Sequence, residues 1–438
     1  MNETKHHTNQ SLQPGSPDFV SRRHFLQSAS IFGMLAGATA NAVAADDTGK
    51  DKPRTALNQP VAQDYVVVTQ VPDKNHFIHD PALTILPNGH LIVAAPVWAR
   101  GAHESSKKAE DKVVRVYRST DGGKSWAQRC EKPWAESTLF PYQGKLYMFL
   151  QLKTFEGVWV TVSDDEGKTW ADPVEVIKGA PDRKFWSLQV GMVVKDGWLY
   201  WANGRAYQDM GAVACDLSKG LMNPAAWRAS DVVVMPIPKE VQSGTYEDGH
   251  TMRCLEGNVV EVGGRMLVLA RAVINRYGTS NMGAMFDLTN GTDRLDLKFT
   301  QLVSIPGGQC KFHILHDAPS KLFWMASNLP SNSMDLIHAL ETYPSAYPKD
   351  WHSLREDRRI LMLYYSLDAI NWFPACCIAK AEKMNQSFMY PSMVIDGDDI
   401  ALLSRTGRDS GDYHDADLAT FHRVRNFRSL AMDIHPKL

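Results

Sequence analysis

Apolar and polar residues alternate with a period of two in short runs along most of the chain. Residues 113–118 read Val-Val-Arg-Val-Tyr-Arg, residues 158–162 Val-Trp-Val-Thr-Val, and residues 361–365 Leu-Met-Leu-Tyr-Tyr. Such alternation predicts half-buried β-strands, because successive side chains on a strand face opposite ways. A second pattern lies beneath it: a turn followed at once by a short apolar run. It begins at Asn88-Gly89, Gln143-Gly144, Asp196-Gly197, Gly263-Gly264, Pro319-Ser320 and Asp396-Gly397. The spacing of roughly 50–80 residues fits one unit of four strands with its loops. Runs with helical period are few, so the expected class is all-β. Six turn signals predict a β-propeller of six blades, or of seven if terminal strands add one. A large β-sandwich does not account for repetition at so long a period.

Three of the strand-like runs lead into related turns. Ser119-Thr120-Asp121-Gly122-Gly123-Lys124-Ser125-Trp126 and Ser163-Asp164-Asp165-Glu166-Gly167-Lys168-Thr169-Trp170 both read S-x-D-x-G-x-x-W. Ser366-Leu367-Asp368-Ala369-Ile370-Asn371-Trp372 is a shorter form without the glycine. Glycine supplies the positive φ of a tight turn, and the aspartate accepts backbone N–H groups that hold it closed. The tryptophan is an apolar plug against a neighbouring unit. These roles make Asp121 and Asp165 scaffold residues. The pattern resembles the Asp-box of sialidases and related β-propellers, and that resemblance implies chemistry on sugars.

The N-terminal residues read as an address. Arg22-Arg23 is followed by an apolar run to Ala44 that ends in small residues. Residues 1–44 are therefore expected to be a twin-arginine signal peptide, recognised by that export machinery. Residues 45–60 are expected to be a flexible lead-in, and residues 61–438 the propeller. The run is too short to remain as a membrane span, so the mature protein is expected to be periplasmic or secreted. The net charge of −2 gives no basic surface for nucleic acid. Six cysteines (130, 215, 254, 310, 376 and 377) lack zinc spacing, and no metal or cofactor is expected. Cys376 and Cys377 should sit on opposite faces of a strand.

The resemblance to sialidases becomes local from Glu256. There a glutamate, a Val-Val-Glu strand, a Gly turn and then Arg271 follow one another, as in that family. The resemblance implies that Glu256 polarises a tyrosine and that Arg271 binds a substrate carboxylate. A planar guanidinium suits that task because it grips a carboxylate with two donors. Arg359, of the pair Arg358-Arg359, matches the family's last arginine by spacing. Phe388-Met389-Tyr390-Pro391-Ser392 resembles the segment that carries the nucleophilic tyrosine, so Tyr390 takes that part. A tyrosine beside a carboxylate can serve as nucleophile or as acid/base. Each of these also has a bland reading, a core tyrosine or a structural ion pair.

The first sialidase arginine is missing, replaced by Ile78-His79-Asp80-Pro81. The following loop carries Glu104, Glu110 and Asp111, none at an obvious general-acid position. His79-Asp80-Pro81, the stretch from Gly307 to His313, Arg405-Thr406-Gly407 and Tyr413-His414-Asp415 are similar to bacterial sialidase-like propellers. That subgroup includes rhamnosyl–glucuronic acid hydrolases and lyases. Histidine suits elimination beside a uronate, which needs a base, an acid and a cation. His79, His250, His313 and His414 are the candidates. The expected site therefore holds Tyr390, Glu256 and His79 as catalytic residues, with Arg271, Arg359, Asp80 and His414 on the substrate. The expected partner is a glycan with an acidic sugar, cleaved by a glycosidase. A β-eliminating lyase and a non-catalytic sugar-binding propeller are the alternatives.

Overall fold

The computed structural model describes residues 55–100, 111–152, 157–179, 185, 190–205, 209–236, 253–274, 280–331, 357–383, 385–408 and 414–435. The Arg22-Arg23 segment lies outside them, as do Glu104, Glu110, His250 and Tyr413. The alternating runs form six antiparallel sheets. Within each sheet successive strands lie side by side in chain order, and the first strands of neighbouring sheets touch one another. This is a six-bladed β-propeller with the first strand of each blade on the axis.

Blade 1 opens with His76–Ile78 and Ala82–Ile85, one inner strand broken at His79-Asp80-Pro81, and continues with Leu91–Ala99, Lys112–Ser119 and Ala127–Lys132. The inner strands of blades 2 to 6 are Glu136–Tyr142, Met192–Lys195, Arg253–Val262, His313–Asp317 and Ser387–Asp396. Blade 6 contributes three strands from the C-terminal part of the chain, the last being Leu418–Val424. Its fourth strand is Val66–Gln70, which pairs Val66 with Phe421 and so closes the ring.

At the junction of the expected lead-in and the propeller, residues 56–62 pair with blade 5. Cys377 N–H donates to the Ala56 carbonyl at 2.7 Å, and Val61 and Ala62 N–H donate to Cys377 and Ile378 at 2.9 and 3.0 Å. The segment caps the exposed edge of the outer strand of blade 5, Phe373–Lys380, whose unpaired backbone groups would otherwise have only water.

The core is divided into six large apolar clusters, one at each blade interface. Cys376 and Cys377 lie in different clusters, one on either side of blade 5. All six cysteines are free thiols. Each Ser-x-Asp turn joins the third and fourth strands of its blade. In the first, Asp121 accepts the Ser125 N–H and hydroxyl at 3.0 and 2.6 Å, and Gly123 N–H donates to Ser119 Oγ at 2.8 Å. Asp165 and Asp368 repeat the arrangement. Trp126, Trp170 and Trp372 enter the interface with the preceding blade in every case. Glu166, at φ +58°, receives Asn88, His90 and Arg118 from blade 1, which ties this blade 2 turn to the preceding blade.

Candidate functional site

The inner strands are not regular. In blade 4 the ladder runs Leu255↔Arg271 and then Asn258↔Leu269, so Glu256 and Gly257 oppose one residue. In blade 6 it runs Met389↔Arg405 and then Ser392↔Leu403, so Tyr390 and Pro391 do the same. Both are β-bulges, which re-aim one side chain out of the alternating pattern. Among the described residues eight non-glycine residues have positive φ, and six of them lie in turns. The other two are Glu256 (φ +54°) and Tyr390 (φ +52°), buried within strands. A glutamate and a tyrosine in this region are strained, and such strain persists where the surroundings over-determine it. In blade 1 the break at His79-Asp80-Pro81 occupies the matching place.

These three irregularities bring their side chains to one end of the channel. Burial raises the Tyr390 hydroxyl above the usual tyrosine range, Arg358 and Arg271 oppose the shift, and Glu256 and Asp80 add to it. Lys311 Nζ stands 5.2 Å from the centre of the Tyr390 ring, Arg358 Cζ 5.2 Å and Arg405 Cζ 4.9 Å. Three cations within 5.2 Å of one ring centre set a positive field around the Tyr390 hydroxyl.

The cations are held by carboxylates. Lys311 Nζ lies 3.0 Å from Asp80 Oδ2, Arg271 Nη1 3.1 Å from Glu256 Oε2, and Arg405 Nη2 3.3 Å from Asp415 Oδ1. Arg271 Nε also donates to the Gln309 carbonyl at 2.5 Å. Asp80, Glu256, Lys311, Arg271, Arg358 and Arg405 are all buried. Buried charges of this kind survive only when paired. Asp80 holds Lys311 above the usual lysine range against the opposing effect of burial.

His414 stands edge-on to Tyr390, with ring centres 6.4 Å apart, and contacts Asp415 Oδ1 at 2.7 Å. Burial and the neighbouring Arg358 and Arg405 push it down to about 4, so the imidazole is neutral at neutral pH. His79 Nδ1 lies 2.6 Å from Glu136 Oε1 and 3.7 Å from Asp80 Oδ1. Its ring stacks on Trp98 at 3.8 Å, and Lys112 Nζ sits 4.3 Å from the Trp98 ring centre. His313 is structural: it is buried, accepts the Met393 N–H at 2.8 Å, and is lowered to about 3 chiefly by burial.

Of the residues singled out in the sequence, Tyr390, Glu256, Arg271, Asp80, His79 and His414 lie at this channel end. Arg359 does not join them. Its guanidinium turns to Ser331 Oγ at 2.6 Å and Asp357 Oδ1 at 3.5 Å, while Arg358 reaches Tyr390. Two adjacent residues of an extended segment point opposite ways, so Arg358 and not Arg359 faces Tyr390. Lys311, Glu136 and Arg405 carry no linear signal, because nothing along the chain says that they face this end of the channel. The bulges themselves had a signal: Asp80-Pro81, Glu256-Gly257 and Tyr390-Pro391 each put Pro or Gly inside a strand pattern.

The Ser-x-Asp turns lie at the far end of the blades. The third strand of blade 1 begins at Lys112, beside Trp98, and ends at Ser119, where the first turn starts.

Comparison with solved structures places the fold. A mutant of the NanB sialidase from Streptococcus pneumoniae superposes with a TM-score of 0.55 at 10% identity, over 85% of this chain and 72% of that one. An intramolecular trans-sialidase from Ruminococcus gnavus gives 0.52 at 12%, over 83% and 98%. A protein of unknown function from Dyadobacter fermentans gives 0.52 at 13%, over 84% and 100%. No protein-family model matches the chain, and no curated protein matches it in sequence. The molecule has the sialidase-like six-bladed propeller fold.

Proposed function

We propose that the protein is an exported enzyme that cleaves a glycosidic bond next to an acidic sugar. The observation that carries this reading is the gathering of Lys311, Arg358 and Arg405 within 5.2 Å of the ring centre of the strained Tyr390, with Asp80 held on Lys311 and Glu256 on Arg271. The cationic field of Arg271, Arg358, Arg405 and Lys311 suits a uronate or sialate carboxylate. Tyr390 Oη attacks the anomeric carbon while Glu256 takes the phenolic proton. The glycosidic oxygen leaves with a proton from channel water; His79 Nε2 then deprotonates the water that hydrolyses the glycosyl–tyrosine bond, while Glu256 returns its proton to Tyr390. A tyrosine nucleophile is a recognised exception to the two-carboxylate pattern. Arg358 takes the binding role that spacing had given to Arg359, and the Arg22-Arg23 segment directs export.

A second reading, β-elimination, draws on His414, a neutral imidazole at the edge of Tyr390 and beside Arg405. A base, an acid and a cation suffice for it. Purified protein incubated with sialic- and uronic-acid glycans separates the two. Hydrolysis releases a saturated sugar; elimination yields an unsaturated uronate that absorbs in the ultraviolet. No turnover of any acidic glycan would sink both and leave the sugar-binding propeller.

A further inference from the structure

Glu136 is the first residue of the inner strand of blade 2 and is fully buried. A carboxylate there has lost water on every side, and burial accordingly raises it above the usual glutamate range, with the His79 imidazole as the chief opposing influence. Oε1 approaches His79 Nδ1 at 2.6 Å as a close ion-pair contact outside linear hydrogen-bond geometry, and neither Glu136 oxygen has a hydrogen-bond partner among the described residues. His79 is clamped on a second side by the face of Trp98, whose indole N–H donates to the Ala135 carbonyl at 2.6 Å. The residue that holds Trp98 thus immediately precedes Glu136. One short segment fixes the imidazole both by charge and by stacking. His79 Nε2 makes no polar contact among the described residues, and the side chain remains 13% exposed.

We infer that Glu136 is a positioning residue that holds His79 in the Nδ1–H tautomer and presents Nε2 to the channel as the acid/base of the site. A buried carboxylate behind an imidazole sets which ring nitrogen carries the proton and stabilises the imidazolium that forms in the reaction. The inference rests on the glycosidase reading for its catalytic half only. The other charged groups beside His79 are Asp80, at 3.7 Å, and Lys311, which Asp80 holds at 3.0 Å. Donor atoms of His79, Asp80 and Glu136 all lie within 4.8 Å of one another. Lys311 already supplies a cation to this group, so a tautomer-setting role is favoured over a metal site.

Nitrogen NMR of protein labelled in its histidines tests the dyad without any substrate. The His79 signals, assigned by their loss in His79→Gln, should show a protonated Nδ1 and a bare Nε2, and this pattern should be lost in Glu136→Gln. On the substrate that wild type cleaves, Glu136→Gln should lower kcat by about 10²–10⁴-fold with KM within a few-fold. Glu136→Asp should recover part of that loss. An unchanged tautomer, or an unchanged kcat in folded Glu136→Gln, overturns the inference. So does activity abolished by a chelator and restored by a divalent cation, which would make the three donors metal ligands. Absence of turnover on every acidic glycan overturns the glycosidase reading and the acid/base role, whereas the tautomer pattern still decides the dyad.

Discussion

Tyr390 and Glu256 hold a backbone conformation that costs on the order of 1–3 kcal/mol each, and both sit where a strand gains one extra residue. The strain aims the phenol and the carboxylate at the channel instead of at the neighbouring blades. Tyr390→Phe removes the hydroxyl and leaves the bulge, so turnover should fall at least about 10²-fold with an unchanged melting temperature. Paired measurement of kcat and Tm checks this. Lys311 behaves differently, because its ammonium neutralises buried Asp80. Lys311→Met should destabilise the fold by about 3–5 kcal/mol, read by urea denaturation, and Asp80→Asn in the same chain should restore part of the loss. Tyr390, Glu256 and Arg271 were legible in the sequence because each stands in a recognisable local context. Lys311, Glu136 and the choice of Arg358 over Arg359 were not, since they depend on which way a side chain leaves the backbone and on what lies across the channel.

The repeated element is the four-stranded blade, and its turn shows why the sequence repeats. Gly123 has φ +92°, and a Cβ there would stand 2.1 Å from Cε1 of Phe421 in blade 6. The glycine is thus required both by the turn and by close approach of the blade that the N-terminal strand closes. Gly123→Ala should cost about 1–3 kcal/mol or more, measured as a lowered midpoint in urea. Gly89→Ala, with open space around its Cβ, should show only the cost of positive φ. Blade count and turn positions were readable because apolar alternation and Gly signals are local. The bulges were half readable, as Pro or Gly within a strand. The docking of residues 55–62 on blade 5 was not, because it answers to an open edge more than 300 residues away in the chain.

At the scale of the whole molecule, buried histidines couple stability to pH. His422 is buried, with Nδ1–H donating to the Ala62 carbonyl at 2.8 Å and Nε2 accepting from the Thr420 hydroxyl at 2.9 Å. Burial lowers it to about 4, and His313 to about 3. The unfolded chain binds a proton on each below about 6.5, whereas the folded molecule keeps both neutral, so stability falls as pH drops from about 6.5 to 4. The slope reaches about 1.4 kcal/mol per pH unit for each histidine. Melting temperatures between pH 7 and 4.5 should decline accordingly, and His422→Gln should flatten the decline. Asp165 and Glu166, both held down to about 2 by hydrogen bonds at the turn, contribute stability that is present above about pH 4.5 and is lost only as pH falls toward 2.

The pairing of Val66 with Phe421 also sets a timetable. The strand that closes the ring is among the first made, and its partner is among the last. At ~5–20 residues per second, roughly 350 residues of synthesis separate the two, so the strand waits roughly 20–70 s. For that interval an apolar edge has no partner within its own chain, and the sixth blade cannot form at all. A newborn molecule is therefore most exposed to self-association before its final strand emerges. A chain interrupted short of Leu418–Val424 should remain an open, sticky arc.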